Sequence, residues 1–381
     1  MKPNRLVVVA ALLAVAACSE SGQDRPSTSP PTAESGPPSS TAPPPPTDTP
    51  TGTPTTAPEQ PADLTPEVVA RNLEVPWGIA FLPDGSALVA ERASGQIQRV
   101  VPGGDVTDVG TVPGVVATSE GGLLGLAVSP TYPEDQTIFA YYTTDSDNRV
   151  ARMTFDGQHL GAPDPILTGI PSGAIHDGGR IAFGPDDMLY ITTGEAGNEQ
   201  LAQDPDSLGG KILRIKPNGD IPADNPDPGS PVWTLGHRNV EGITWDDAGR
   251  MWATEFGAST WDELNLIEPG NNYGWPATEG RSDVEEFTDP VLQWPTGEAS
   301  PSGIAYLDGA LWIGALQGER LYRVPVRKNG VGEPEALFVN DYGRLRSVES
   351  TPDGDLWFTT SNRDGRGDPV PADDRILEIR P

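Results

Sequence analysis

Apolar residues along most of this chain come in short alternating runs, broken by turns rich in Gly, Pro and Asp. Such alternation predicts strands with one buried face. No long segment holds apolar residues at i, i+3, i+4, i+7, so few helices are expected. The alternation is itself repetitive: a Gly, alternating apolar positions, a Pro/Asp/Gly turn, then an apolar strand ending in Thr, Ala or Glu. The unit reads GIAFLPDGSALVAER from Gly78, GLAVSPTYPEDQTIFAYYT from Gly125 and GRIAFGPDDMLYITTGE from Gly179. It returns as GITWDDAGRMWATEFG from Gly242, GIAYLDGALWIGAL from Gly303 and SVESTPDGDLWFTTSN from Ser347. Six copies at intervals of roughly 45 to 60 residues match the period of propeller blades. Further strand-like runs at 95–100, 211–215, 263–267 and 320–324 fill the gaps. The expected fold is an all-β, six-bladed propeller of four-stranded antiparallel sheets, which leaves only short sheet edges exposed. The run at 68–73 precedes the first copy and the run at 375–380 ends the chain, so the two should share one blade and close the ring.

The third copy carries polar clusters at both of its edges. His176-Asp-Gly-Gly-Arg180 precedes it and Gly194-Glu195-Ala-Gly197 follows it, with a Gly-Pro-Asp-Asp turn between two apolar strands. An antiparallel pair begins and ends on the same side, so the hairpin should bring His176 and Glu195 together. Ligands of propellers sit at one mouth of the central channel, where inner strands and connecting loops converge. A lone histidine is more often structural than catalytic, but the small residues beside His176 would let a substrate approach closely. His159, in a Phe155-Asp-Gly-Gln turn, reads as a surface residue.

Composition changes the picture mainly at the N-terminus. Among 381 residues there are 44 Gly and 42 Pro, part of them in a Pro/Thr/Ser tract from Ser19 to about Pro66 that cannot bury enough apolar surface to fold. This tract, at 18–66, is read as a disordered tether holding a domain at 67–381 away from a surface. Before it, Lys2 and Arg5 precede an apolar run that ends Val15-Ala16-Ala17-Cys18 and is too short to span a bilayer. Residues 1–17 resemble a bacterial lipoprotein signal, which implies cleavage before Cys18 and a lipid anchor on its sulfur; a plain secretory signal is the alternative. Either reading places the protein outside the cytoplasm. Cys18 is the one cysteine, so the folded part has no disulfide. The formal net charge of −30 argues against nucleic acid as a partner.

Two further constellations carry candidate chemistry. Gly236-His237-Arg238-Asn239 offers a planar guanidinium suited to a carboxylate ligand, or alternatively a buried arginine tying loop carbonyls together. The segment from Glu255 to Pro276 mixes acidic side chains, loop carbonyls and amides of the kind a hard cation takes, without the EF-hand spacing; a solvated acidic turn is the alternative.

Taken in order, EVPWGIAFLPDG, EGGLLGLAVSP, HDGGRIAFGPDDMLYITTGE, SLGGKILRI, GHRN and DELNLIEPGNNYGWP resemble the pyrroloquinoline quinone-dependent glucose/sorbosone dehydrogenase family, over roughly Leu73 to Pro381. The resemblance implies a six-bladed propeller, pyrroloquinoline quinone and Ca²⁺ as cofactors, a sugar substrate and an external electron acceptor. It implies that His176 is the general base, supported by Glu195, and that Arg238, Asn239, Arg344 and Arg346 bind the quinone, with Glu120 as a polar cofactor contact. The carbonyls of Gly257 and Ala258 would hold the Ca²⁺ that also meets the cofactor, and Glu263, Tyr273 and Asp283 a second, structural one. The chain departs from the family pattern in three places. Gln317 stands for a lysine that pairs with the quinone, Ile175 for an acidic sugar contact of soluble members, and Phe256 for a polar cofactor contact. The base and the arginines remain, which favours an oxidoreductase, while glucose as the particular sugar is not implied. The competing readings are a non-enzymatic propeller whose mouth binds a glycan or protein, and a calcium-dependent lactonase.

Overall fold

The computed structural model describes residues 64–381; segment 1–17, Cys18 and nearly all of the 18–66 tether lie outside the described residues. The repeated units form six antiparallel sheets around one axis. Blade 1 consists of Pro76–Phe81, Ala87–Glu91, Gln96–Val100 and Val106–Thr111, and blade 2 of Leu123–Val128, Thr137–Thr143, Asn148–Thr154 and Asp164–Ile170. Blade 3 is Ile181–Phe183, Leu189–Thr192, Lys211–Ile215 and Val232–Leu235; blade 4 is Val240–Trp245, Met251–Glu255, Trp261–Ile267 and Leu292–Pro295. Blade 5 runs Pro301–Leu307, Ala310–Ala315 and Arg320–Arg327, with its edge in two pieces, Gly330–Val331 and Glu335–Leu337. Blade 6 joins Leu345–Ser350, Leu356–Thr360 and Ile376–Ile379 to the N-terminal strand Glu67–Ala70, with Val68 opposite Leu377. The two ends of the folded chain therefore share one sheet. Helix is confined to single turns at Tyr132–Asp135 and Glu199–Ala202 among the described residues.

Six apolar clusters fill the six seams between neighbouring blades. Trp252, Trp312 and Trp357, at matching positions of the second strands in blades 4 to 6, are completely or almost completely buried in them. These wide rings supply much of the bulk that fills the seams between blades.

Nearest the axis there is no room for side chains. One register position recurs on all six inner strands: Gly78, Gly125, Arg180, Gly242, Gly303 and Ser347. A Cβ at Gly78 would lie closer than 3.0 Å to the carbonyl oxygen of Leu124, at Gly125 to that of Gly179, at Gly242 to that of Ser302, and at Gly303 to that of Arg346. In each case the carbonyl belongs to the residue just before the same register position on the next blade. The two remaining seams use a side chain on the same target. Arg180 Nε donates to the Glu241 carbonyl at 2.9 Å, and Ser347 Oγ donates to the Trp77 carbonyl.

This register corrects the third copy of the repeat. Aligned by sequence it opens at Gly179, but Arg180 holds the ring position and Gly179, at φ +109°, is an additional residue. Gly179 presents its carbonyl to Gly125 and turns the loop from His176 into the strand.

The ring contact makes a prediction. Gly78→Ala should cost about 3 kcal/mol or more, because backbone on both sides is held by sheet pairing and cannot retreat. Gly85→Ala, in a turn at φ +82° with open space around it, should cost only about 1 kcal/mol. Urea denaturation of both variants tests this, and equal losses would remove the ring position from its role.

Candidate functional site

The polar clusters converge on one mouth of the channel because antiparallel blades alternate direction: inner strands begin there and second strands end there. The residues one place before the ring position contribute Trp77, Glu241 and Arg346 to the lining. Those directly after the second strands contribute Arg92, Phe256 and Leu316, and the connecting loops contribute Glu120, Asp177, Gly178 and Arg366. The cleft between them is narrow, with a volume of about 10 Å³. Below it the channel is plugged by Arg180, which also reaches Ser347 Oγ at 3.1 Å and stacks on Trp77 at 4.3 Å. Burial holds this guanidinium down to about 10.

His176 and Glu195 meet at the shared end of the blade 3 hairpin, where Ile181 pairs with Ile191. Nδ1 of His176 bonds to Glu195 Oε1. An ionised carboxylate only accepts, so Nδ1 carries the proton and Nε2 presents a lone pair. Nε2 has no protein partner among the described residues. The histidine backbone is left-handed, φ +62°, a conformation costing about 1 kcal/mol or more outside glycine. Its peptide groups are fixed on both sides: the N–H donates to Glu120 Oε2 at 2.8 Å, and the carbonyl accepts from Ala196 N–H at 3.1 Å. Glu120 is in turn held by Arg366 at 2.7 Å. Burial opposes ionisation of Glu120, but the His176 N–H and the Arg366 guanidinium outweigh it and keep the carboxyl below its ordinary range.

Arginines and carboxylates alternate around the cleft. Arg344 pairs with Asp364 at 3.0 Å, and Arg346 with Glu241 at 2.7 Å and with Asp364 at 3.6 Å. Arg92 and Arg238 have no carboxylate within ion-pair distance among the described residues. Arg92 makes one bond, 3.4 Å to the Asp364 carbonyl, and is lowered to about 10 by burial and by the nearby Arg346. Arg238 donates from Nη1 to the Phe256 carbonyl at 3.3 Å, lies over the Trp275 ring at 5.5 Å and lines a small cavity on the far side of Phe256 from the cleft. Five N–H donors on each fork leave most of these two guanidinium groups unengaged, which suits an anionic, planar ligand. Beside them are acceptors without donors: Asp177 Oδ2 and Glu195 Oε2 are buried and unpartnered, as hydroxyls of a ligand would require.

Other expected contacts are placed differently. Asn239 is fully buried, and its carboxamide oxygen accepts from Gly178 N–H at 3.0 Å; it braces the His176 loop and does not line the cleft. Gln317 is exposed and Leu316 lines the wall at that place. Ile175 is exposed, and Phe256 faces the cleft. His237 is buried between Glu255 at 2.8 Å and Thr234 at 2.9 Å and stacks on Tyr273, a structural role. His159 is on the surface. Arg92, Arg366, Asp177, Glu241 and Asp364 were absent from the sequence-based set. Arg92 was accessible by position, since it follows its second strand as Phe256 and Leu316 follow theirs.

Among the described residues no group of three or more His, Cys, Asp or Glu side chains is arranged to hold a metal. Backbone geometry supplies other donors. The N–H groups of Ala258, Ser259, Thr260 and Trp261 all point at Glu279 Oε1, at 2.7 to 3.1 Å. In a trans peptide the carbonyl points opposite to its N–H, so the Gly257 and Ala258 carbonyls face together away from Glu279. Paired carbonyls of this kind fit a hard cation. Nearby, Glu255 and Glu263 share a small cavity with Glu279, Asn265 Oδ1 is buried without a partner, and burial with the nearby Glu255 pushes Glu263 up to about 8. Glu255 is already engaged by His237 and the Arg238 N–H, and Arg238 lines the same cavity, so Glu263 and Asn265 are the oxygens left there for a cation. Of the expected trio at this second place, Glu263 offers a carboxylate. The Tyr273 hydroxyl is engaged by Leu266 and Glu268, and Asp283 is exposed and off the cavity wall.

Comparison with known proteins agrees with the propeller fold. Residues 73–370 match the family model described as glucose/sorbosone dehydrogenase. The pyrroloquinoline quinone-bound aldose sugar dehydrogenase of Streptomyces coelicolor superposes with a TM-score of 0.81 at 53% identity, covering 84% of this chain and 99% of that one. The aldose sugar dehydrogenase of Escherichia coli is 29% identical over 80% of this chain and 92% of its own length. The quinoprotein glucose dehydrogenase B of Acinetobacter calcoaceticus is 34% identical over 57% of this chain and 53% of its own.

Burial, against bonds from Asn148 and Gly173, pushes Asp177 up to about 6. A carboxyl raised in this way keeps a proton that the unfolded chain releases near pH 4, so the folded state loses stability as pH rises from about 4 through 6. Asp177→Asn should remove that loss. Relative to the parent, the variant should gain about 2 kcal/mol between pH 4 and pH 7 in urea denaturation, and a pH-independent difference would contradict the assignment.

Proposed function

The chain belongs to the glucose/sorbosone dehydrogenase family, and on that footing we propose that it is an exported, calcium-dependent aldose dehydrogenase that oxidises the C1 hydroxyl of a sugar to the lactone. The observation that carries the reading is His176 at the mouth, with its Nδ1 on Glu195 and its Nε2 unengaged, beside guanidinium groups that lack carboxylate partners. Pyrroloquinoline quinone, when bound, supplies the two-electron, hydride-accepting chemistry that no side chain provides. Arg238 and Arg92 would meet its carboxylates, with Arg344 and Arg346 held alongside by Asp364 and Glu241. The Gly257 and Ala258 carbonyls would hold Ca²⁺ next to the cofactor, and the Glu263 cavity a second, structural ion.

His176 Nε2 takes the proton of the anomeric hydroxyl as the C1 hydrogen departs with its electron pair, leaving a C1 carbonyl, the lactone. Glu195 stabilises the resulting imidazolium and prevents the ring from turning. Glu120, through the His176 N–H, fixes the strained backbone that aims Nε2 into the cleft; it acts as a positioning residue. The Arg180 plug closes the channel below the site, so a sugar and a soluble electron acceptor would approach through the same mouth. Export and lipid anchoring rest on the signal-like segment ending at Cys18.

Apoprotein supplied with pyrroloquinoline quinone and Ca²⁺ should reduce a redox dye with a panel of aldoses, and lose this activity when a chelator replaces Ca²⁺. His176→Ala should lower kcat by about 10³-fold while quinone absorbance stays with the protein, and Arg238→Ala should weaken quinone binding about tenfold or more. Sugar oxidation by His176→Ala at the parental rate would refute the base.

A further inference from the structure

We propose that the seam between blades 3 and 4, on the face opposite the arginine-lined mouth, is a second carbohydrate site that binds a pyranose ring of a glycan without oxidising it. His176 and Asn239 stand before the inner strands Ile181–Phe183 and Val240–Trp245, at the mouth. The turns after those same strands, containing Asp186 and Gly249, lie at the other end and border a cavity of about 330 Å³. This falls in the range of small-ligand pockets and is far larger than the volume of the cleft at the mouth.

The walls are aromatic and already ordered. Tyr190 meets Trp233 edge to face at 5.7 Å and 88°, and Trp245 at 5.1 Å and 64°. Arg214 covers Trp233 at 4.9 Å, beneath the cavity. Both tryptophans are half-buried, and neither indole N–H donates to a protein acceptor among the described residues. A pyranose has an apolar C–H face that such rings cover and a rim of hydroxyls that needs both donors and acceptors. The acceptors are at hand. Asp186 is fixed by Arg214 through Nε at 3.0 Å and Nη2 at 2.8 Å and by the Tyr190 hydroxyl at 3.1 Å. Glu268, exposed on the rim, has a single side-chain contact, 3.4 Å from Asn271.

The charge pattern selects against other ligands of this size. Asp186 and Glu268 repel phosphate or carboxylate ligands, and the lining Arg250 is already paired with Asp246 at 2.7 Å. A plain hydrocarbon would leave the two indole N–H groups without acceptors. A neutral polyol with one apolar face satisfies the whole lining. The inference is independent of the quinone and of the base, because none of its residues reaches the mouth. Its consequence is that the enzyme could rest on a glycan while the opposite face handles free reducing sugars.

The test uses methyl α-maltoside and methyl β-cellobioside, which lack a free anomeric hydroxyl and cannot be oxidised at C1. Saturation-transfer NMR on the whole folded protein should show saturable contact with at least one of them, with a dissociation constant of about 1 mM. Trp245→Ala should weaken it about tenfold or more, Trp245→Phe should stay within about threefold, and Glu268→Gln should weaken it about fivefold, all with aldose turnover unchanged. No saturable contact up to about 20 mM, or Trp245→Ala binding as the parent does, overturns the proposal. If Trp245→Ala fails to fold, Glu268→Gln decides, and parental binding by that variant overturns it equally.

Discussion

One contact, repeated around the axis, governs the rest of the molecule: a single register position on each inner strand packed against the carbonyl that precedes the same position on the next blade. Where that position is glycine the strands touch backbone to backbone, and a Cβ would come closer than 3.0 Å. Where it is Arg180 or Ser347 the gap is bridged by a hydrogen bond to the same carbonyl. The radius of the ring at that level follows from the bulk of a peptide group rather than from side-chain packing. Above it the strands splay, and the residues one step earlier, Trp77, Glu241 and Arg346, have room to face the opening. The mouth exists because the ring below it is closed so tightly.

Closure also fixes the electrostatics. Arg180 sits where four other blades have glycine, so a cation lies on the axis under the cleft, hydrogen-bonded to carbonyls and a hydroxyl. A buried charge is costly, and its three acceptors, the face of Trp77 and the nearby carboxylates of Glu349 and Glu241 are what make it tolerable. Arg346 pairs with Glu241 and Arg344 with Asp364, so those groups are rigid but partly neutralised. Arg92 and Arg238, on carbonyls alone, keep their charge for an incoming anion. Positive potential at the mouth thus comes from a minority of its arginines, in a chain whose net charge is −30.

Much of this was legible in the sequence because the ring leaves a periodic mark. Gly78, Gly125, Gly242 and Gly303 are conspicuous as repeats since a steric limit removes every alternative, and alternation around a turn is enough to unite His176 with Glu195. Where a side chain replaces the glycine, the mark fails: Arg180 looks like part of a polar motif, and the copy slides by one residue onto Gly179. Pairings between loops of different blades are hidden for a different reason. Arg366 and Glu120 are 246 positions apart, and no local pattern records that a loop of blade 6 holds a loop leading into blade 2. Asn239 and Gln317 show the limit of transferring a role by position alone, as one is buried under the His176 loop and the other faces solvent.

The apolar wall at the mouth follows from the same geometry. Residues directly after the second strands point across the opening, and here they are Arg92, Phe256 and Leu316. With Leu316 on the wall and Gln317 outside it, blade 5 supplies shape and no charge. The cations of the cleft stand on blades 1 and 6 instead, in Arg92, Arg346 and Arg366. These adjoining blades put charge on one side of the mouth, and Phe256 and Leu316, on blades 4 and 5, put hydrocarbon on the other. The histidine adds a fixed direction of its own, since its ring is held by Glu195 and its backbone by Glu120.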